Sequence, residues 1–279
     1  MNASLCRFQR LIPCLLFAAW AGGISFLLAP SQAEAKSGLA RQTDVELTGK
    51  KLAQLVHDRN RGDNSIARSV MGLISRRGKK RIRHFITYQE DDGKLLKQLI
   101  RFTSPADIEG TGFLSFEKED ESAEQFLYLP ALRRTRRIVS SQKDHGFVNT
   151  DFTYEDMERR QVINYTHIIS GNEKKQQNDC WILESRPVKK TNSQYSLIKS
   201  WIAKETHVPM FVEYYNKKGR LIKEYSVAKL LKIQGVWTEI EIVMADLERK
   251  HRTLIRINNI TYNTELPDDI FTRRNLENW

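Results

Sequence analysis

Three cysteines in 279 residues are too few for a disulfide scaffold or a multi-cysteine zinc site, and Cys6 and Cys14 sit in the first fourteen residues, away from Cys180. The sequence has no Gly-x-Ser-x-Gly elbow, no His-Glu-x-x-His pair and no glycine-rich phosphate loop. Its six histidines, His57, His84, His145, His167, His207 and His251, stand singly. These absences argue against a serine hydrolase, a zinc peptidase or a nucleotide-binding enzyme, and no catalytic residue, metal ligand or cofactor is expected. Only one long apolar run occurs, at the N-terminus, so the chain is not a polytopic membrane protein. What is present is a globular composition, 40% hydrophobic, with 45 Lys and Arg against 34 Asp and Glu.

The N-terminal run reads as an export signal. Arg7 and Arg10 precede an apolar stretch over residues 11–28, and Ala33 and Ala35 provide small residues at signal-peptidase spacing. Residues 1–35 are therefore expected to be a cleaved leader, with residues 36–279 forming a single domain. A retained anchor is the rival reading, and Pro13 before Cys14 argues against lipidation there. With one cysteine left after cleavage, stability must come from the core, and Cys180 in Cys-Trp-Ile-Leu is expected to be a small buried hydrophobe.

A capping box at Thr43-Asp44-Val45-Glu46 predicts a helix whose apolar face carries Val45, Leu52, Leu55 and Val56, ending near Gly62. From Ile66 onward the period changes to short β-rich runs separated by turn signals. Strands are expected at 66–76, 80–90, 94–103, 110–118, 124–130, 133–140, 161–170, 180–188, 195–204, 209–216, 220–232, 236–246 and 250–263. Asp91-Asp92-Gly93 and Lys217-Lys218-Gly219 place glycine where a tight hairpin needs positive φ. Leu96, Ile100 and Phe102 alternate with Lys97 and Arg101, which predicts a sheet with one apolar and one wet face. The expected fold is mainly β: a large curved antiparallel sheet forming a half-open barrel closed by one or two helices.

Two charged segments invite a functional reading. The acidic stretch 151–158 has dense oxygen ligands but lacks the glycine and terminal glutamate of a calcium loop, so Thr153 and Asp156 are read as the capping box of a short helix over 153–159. The basic run Arg133, Arg134, Arg136 and Arg137 is either a solvated edge strand or an anion or partner contact, including transient contact with a membrane surface. No recognition helix or base-stacking motif accompanies it, so nucleic acid is not an expected partner.

Three segments in order carry a family likeness: residues 102–114 (Phe-Thr-Ser-Pro-Ala-Asp-Ile-Glu-Gly-Thr-Gly-Phe-Leu), 126–138 (Phe-Leu-Tyr-Leu-Pro-Ala-Leu-Arg-Arg-Thr-Arg-Arg-Ile) and 147–156 (Phe-Val-Asn-Thr-Asp-Phe-Thr-Tyr-Glu-Asp). The chain resembles the bacterial outer membrane lipoprotein-sorting proteins, a LolA-like periplasmic group linked with RND-type (MMPL) exporters of the inner membrane. Asn149 stands where that pattern has glycine. The resemblance implies a half-open β-barrel around an apolar cavity that takes acyl chains of a lipid or lipoprotein, with no catalysis. Strand parity nominates Leu96, Ile100, Phe102, Leu114, Phe116, Leu127, Leu129, Ile198, Ile202, Met210 and Val212 as the lipid-binding wall. A subunit that docks to an exporter and carries nothing is the alternative.

Overall fold

Glycine and β-branched punctuation along the chain is realised as thirteen strands. The computed structural model describes residues 47–120, 122–188 and 191–278; the expected leader, Cys6, Cys14 and the Thr43 capping box lie outside them. Among the described residues no helix is long and apolar enough to cross a membrane. The first helix, α1 (Gly49–His57), is capped by Thr48, whose hydroxyl accepts from the Lys51 amide at 3.2 Å. The cap therefore lies five residues after the expected Thr43.

The strands are β1 (Asn64–Ile74), β2 (Lys80–Asp91), β3 (Leu96–Ser104), β4 (Gly112–Glu117), β5 (Ala123–Leu129), β6 (Arg134–Ile138), β7 (Tyr165–Lys175), β8 (Asn178–Pro187), β9 (Tyr195–Ala203), β10 (Pro209–Asn216), β11 (Leu221–Ile233), β12 (Val236–Asp246) and β13 (His251–Tyr262). A second helix, α2 (Arg273–Glu277), ends the described chain. All thirteen strands join one antiparallel sheet in the order β6-β5-β4-β3-β2-β1-β13-β12-β11-β10-β9-β8-β7. Gly93 and Gly219 adopt φ of 83° and 72°, as their hairpins require.

The expected half-open barrel is corrected by this topology. The sheet is neither closed into a barrel nor strongly curled: β6 pairs only with β5 and β7 only with β8, so both are free margins. The sequence between them, residues 139–164, is taken up by turns and short 3-10 segments. That segment crosses one face of the sheet and inserts Phe147, Phe152 and Tyr154 among Met71, Phe85, Phe113, Leu127, Ile198 and Met244.

Two further expectations are corrected. Residues 153–159 form a turn, not a helix: Asp156 Oδ2 accepts from the Thr153 amide and hydroxyl, both at 2.8 Å, but also takes the Lys223 ammonium at 2.9 Å. The carboxylate bonds made on the sheet hold the turn where a helix would have continued. The wet face expected of β3 is covered at Arg101, because residues after β13 lie across it, and stays wet at Lys97. Leu99, Leu114 and Phe126 pack with Ile270 and Leu276, and the Arg101 guanidinium donates to the Asn275 carbonyl and side chain. Cys180 is buried with Trp201, Val208 and Met210.

Candidate functional site

A cavity of about 490 Å³ lies between the sheet and the crossing segment, within the ~300–1,000 Å³ range of small-molecule sites. Its origin is legible in side-chain size. Along β1 the residues facing it are Ser65, Ala67, Ser69 and Met71, three small ones followed by a large one. Opposite them in register stand Gln89, Thr87 and Phe85 on β2 and Tyr262, Ile260, Ile257 and Ile255 on β13. The small residues leave space that their neighbours do not fill. A β-bulge between Ile257 and Asn259 makes this possible, because the extra residue Asn258 turns Ile260 and Tyr262 to the same side as Ile255 and Ile257.

The apolar wall is consequently half-exposed where a core would be dry. Tyr225, Ile242, Ile255, Ile257 and Ile260 all line the space and all keep solvent access. At the far end Met71, Phe85, Ile100, Phe147, Phe152 and Met244 close it.

The mouth is charged, and both of its sides come from short connecting segments. One side is the chain leaving α1. Arg59 pairs with Glu239 at 3.0 Å, and Arg61 donates to the carbonyls of His57 at 2.6 Å and Val56 at 3.2 Å, capping the helix C-terminus. Burial, with Arg59 and Arg159 nearby, pushes the Arg61 guanidinium down to about 10, so it remains charged at neutral pH. The other side is residues 156–160. Arg159 is clamped between Asp91 at 3.1 Å and Glu117 at 2.5 Å; burial opposes its charge, but these two carboxylates raise its pKa. Arg160 donates to the Tyr214 hydroxyl at 3.0 Å and lies 5.5 Å over that ring. Burial drives the Tyr214 and Tyr225 hydroxyls upward, so both remain neutral donors beside the wall.

The acidic stretch fastens the crossing segment to the sheet. Asp151 takes the Thr253 hydroxyl at 2.6 Å and His251 Nδ1 at 2.7 Å, and Asp156 takes Lys223 and the Tyr195 hydroxyl at 2.7 Å. Gln125 holds the Tyr154 carbonyl at 2.8 Å, and Arg83 holds that of Val148 at 2.6 Å. Val148 and Asn149 both have left-handed backbones, φ 44° and 61°. Asparagine tolerates that conformation, whereas a β-branched valine is strained there. Among the described residues no group of three or more His, Cys, Asp or Glu could hold a metal ion.

The residues nominated from strand parity occupy five environments. Leu96, Ile100 and Val212 line the cavity. Phe102, Leu127, Leu129 and Ile198 pack in the cluster behind it. Leu114 and Phe116 face the opposite side of β4, against the segment carrying α2. Ile202 lies in the cluster under α1, and Met210 beside Cys180. Arg133, Arg134, Arg136 and Arg137 are exposed at the β6 margin, with Arg137 paired to Glu124 at 2.6 Å. Sequence reasoning missed Ser65, Ala67 and Ser69, whose signal is small residues at alternate positions of a strand that otherwise points Met71 and Leu73 inward. It also missed the arginine mouth, whose two sides lie about a hundred residues apart.

No curated protein matches the chain. A family model described as "Uncharacterized protein" matches residues 94–278. Among solved structures, a DUF1329 family protein from Desulfovibrio piger is 32% identical with a TM-score of 0.77, covering 82% of this chain and 97% of that one. A domain assigned as an outer membrane lipoprotein-sorting protein from Vibrio parahaemolyticus is 29% identical, TM-score 0.77, over 82% of this chain and 98% of its own. A LolA superfamily protein from Nitrosomonas europaea shares the fold, with TM-score 0.63 at 18% identity over 82% and 99%. By its sequence this chain belongs to the DUF1329 family, and its fold is LolA-like.

Proposed function

We propose that the protein is a periplasmic carrier that shelters acyl chains of a lipid or lipoprotein in this cavity during envelope transport or outer-membrane sorting. The observation that carries the reading is the row of half-exposed Ile242, Ile255, Ile257 and Ile260 facing an unfilled space. Each methylene buried there contributes about 0.8 kcal/mol, so one long chain supplies transport affinity without a precise polar code. Residues 1–35 serve as the cleaved export signal. The exposed arginines of β6 meet a partner's anionic groups, and an RND/MMPL-type exporter is the proposed inner-membrane partner.

The test is lipid extraction and mass spectrometry of protein gently recovered from the periplasm, together with titration of an acyl fluorophore. Lipid is expected to co-purify. Ala67→Phe, which fills the space between Thr87 and Ile260, is expected to weaken fluorophore binding roughly tenfold or more while leaving the melting temperature unchanged or raised. A repeatedly empty protein whose fluorophore affinity ignores Ala67→Phe would leave the non-carrying, exporter-docking subunit as the better account.

A further inference from the structure

Positive charge gathers at the end of the strands opposite the cavity mouth, assembled from three hairpins far apart in sequence. The β1–β2 turn carries Arg76, Arg77, Lys79, Lys80 and Arg81; the β10–β11 turn carries Lys217, Lys218 and Arg220; the β12–β13 turn carries Arg249, Lys250 and Arg252. All eleven side chains are exposed. The register brings these turns together: Ile74 pairs with Lys80 on one side and Arg252 on the other, and the Leu247 amide donates to the Ile222 carbonyl at 2.9 Å. Two acidic residues lie in the same turns. Glu248 is engaged by Arg220 at 3.2 Å, and Asp246 lies 4.0 Å from Arg249.

Between the first and third turns is a second cavity, of about 240 Å³, lined by Ser75, Lys79, Arg81, Asn149, Arg249 and His251. Apart from Leu73 its lining is polar or cationic. The nearby carboxylate, Asp151, is fully buried and already holds His251 and Thr253, with the Arg249 guanidinium 3.9 Å away. Exposed aliphatic side chains border the charge: Ile82, Leu247 and Leu254 keep about 50%, 38% and 39% of their surface.

We infer that this end of the molecule docks on an anionic membrane surface, with the small cavity taking a phosphate headgroup and the hairpin lysines and arginines meeting its neighbours. A cationic surface spread over several turn tips matches the distributed charge of a lipid leaflet, and adjacent aliphatic residues fit its interfacial zone. An acidic polypeptide would satisfy the charge but has no use for the aliphatic fringe. The inference does not rest on the carrier reading: it concerns the other end of the strands, and the two fail separately.

The experiment is co-sedimentation of the periplasmically recovered protein with phosphatidylglycerol–phosphatidylcholine vesicles and with phosphatidylcholine alone, over a salt series. Binding is expected only with phosphatidylglycerol, and it is expected to weaken as salt rises. A pocket variant, Lys79→Glu with Arg249→Glu, and a rim variant, Arg77→Glu with Lys218→Glu, are each expected to lower partitioning about tenfold or more. Both should retain the wild-type melting temperature, which certifies their fold. Equal binding to neutral vesicles, or unchanged partitioning in both variants, would overturn the inference. So would complete displacement by millimolar inorganic phosphate at constant ionic strength, which would reassign the pocket to free phosphate. Capture of polyglutamate in place of vesicles would reassign the surface to an acidic partner.

Discussion

Two patches of the same sheet use the same aliphatic residues to opposite ends. Under α2, Leu99, Leu114 and Leu276 have no exposed surface, and the fit is tight enough that a methyl group on Gly112 would come within 2.6 Å of Leu276. Along β13, Ile257 and Ile260 stay partly exposed because the residues opposite them on β1 are Ser69 and Ala67. Whether an aliphatic residue becomes core or cavity wall is decided by what stands opposite it, not by its own identity or by the alternation of its strand.

That contrast can be broken by substitution. Leu276→Ala is expected to cost about 2–5 kcal/mol, and Ile257→Ala about 1 kcal/mol or less, measured by denaturant unfolding. Equal losses would mean that the wall is packed as tightly as the covered face. A smaller effect tests the cover at α1, where a methyl on Gly49 would sit 2.4 Å from the His167 carbonyl oxygen. Gly49→Ala is expected to cost on the order of 1–3 kcal/mol, since backbone must move; a neutral result would show that α1 is loosely laid on.

The smallest effect sharpens the same comparison through pH. Burial under α1 lowers the His167 pKa, outweighing its bond to the Val162 carbonyl at 3.0 Å. The unfolded chain therefore binds the proton more readily, so stability is full above the ordinary histidine value of 6.5 and is lost as pH falls through the depressed folded value. His167→Gln is expected to flatten that part of the stability–pH curve, read by thermal melting at a series of pH values.

Much of the sheet is legible along the chain. Thirteen strand segments follow from alternation and turn glycines, and the hairpins at Gly93 and Gly219 form as their residues require. What alternation leaves open is which face becomes which. Leu114 shares the apolar character of Phe113, but its cover comes from Ile270 in a turn and Leu276 in a helix of five residues, too short to show a period. The expected helix over 153–159 fails for a related reason. A capping bond is local evidence, but Asp156 is also claimed by Lys223 and Tyr195, which are distant in sequence. Barrel closure was equally beyond local signals, since it depends on whether β6 meets β7. The bulge at Asn258 hides the wall in a further way: simple parity would place Asn259 and Thr261 beside Ile257, and only the pairing with β1 reveals Ile260 and Tyr262 there.

The unjoined margins have a consequence for capacity. In a cylinder of strands, girth is dictated by strand number and stagger, and a larger guest must break the ladder to enter. Here no such geometric closure applies. The two flanks meet through side-chain contacts with the crossing segment, and no interstrand hydrogen bond joins them. Under the proposed carrier role, the size of guest admitted would follow from a handful of polar fastenings and not from the topology of the backbone.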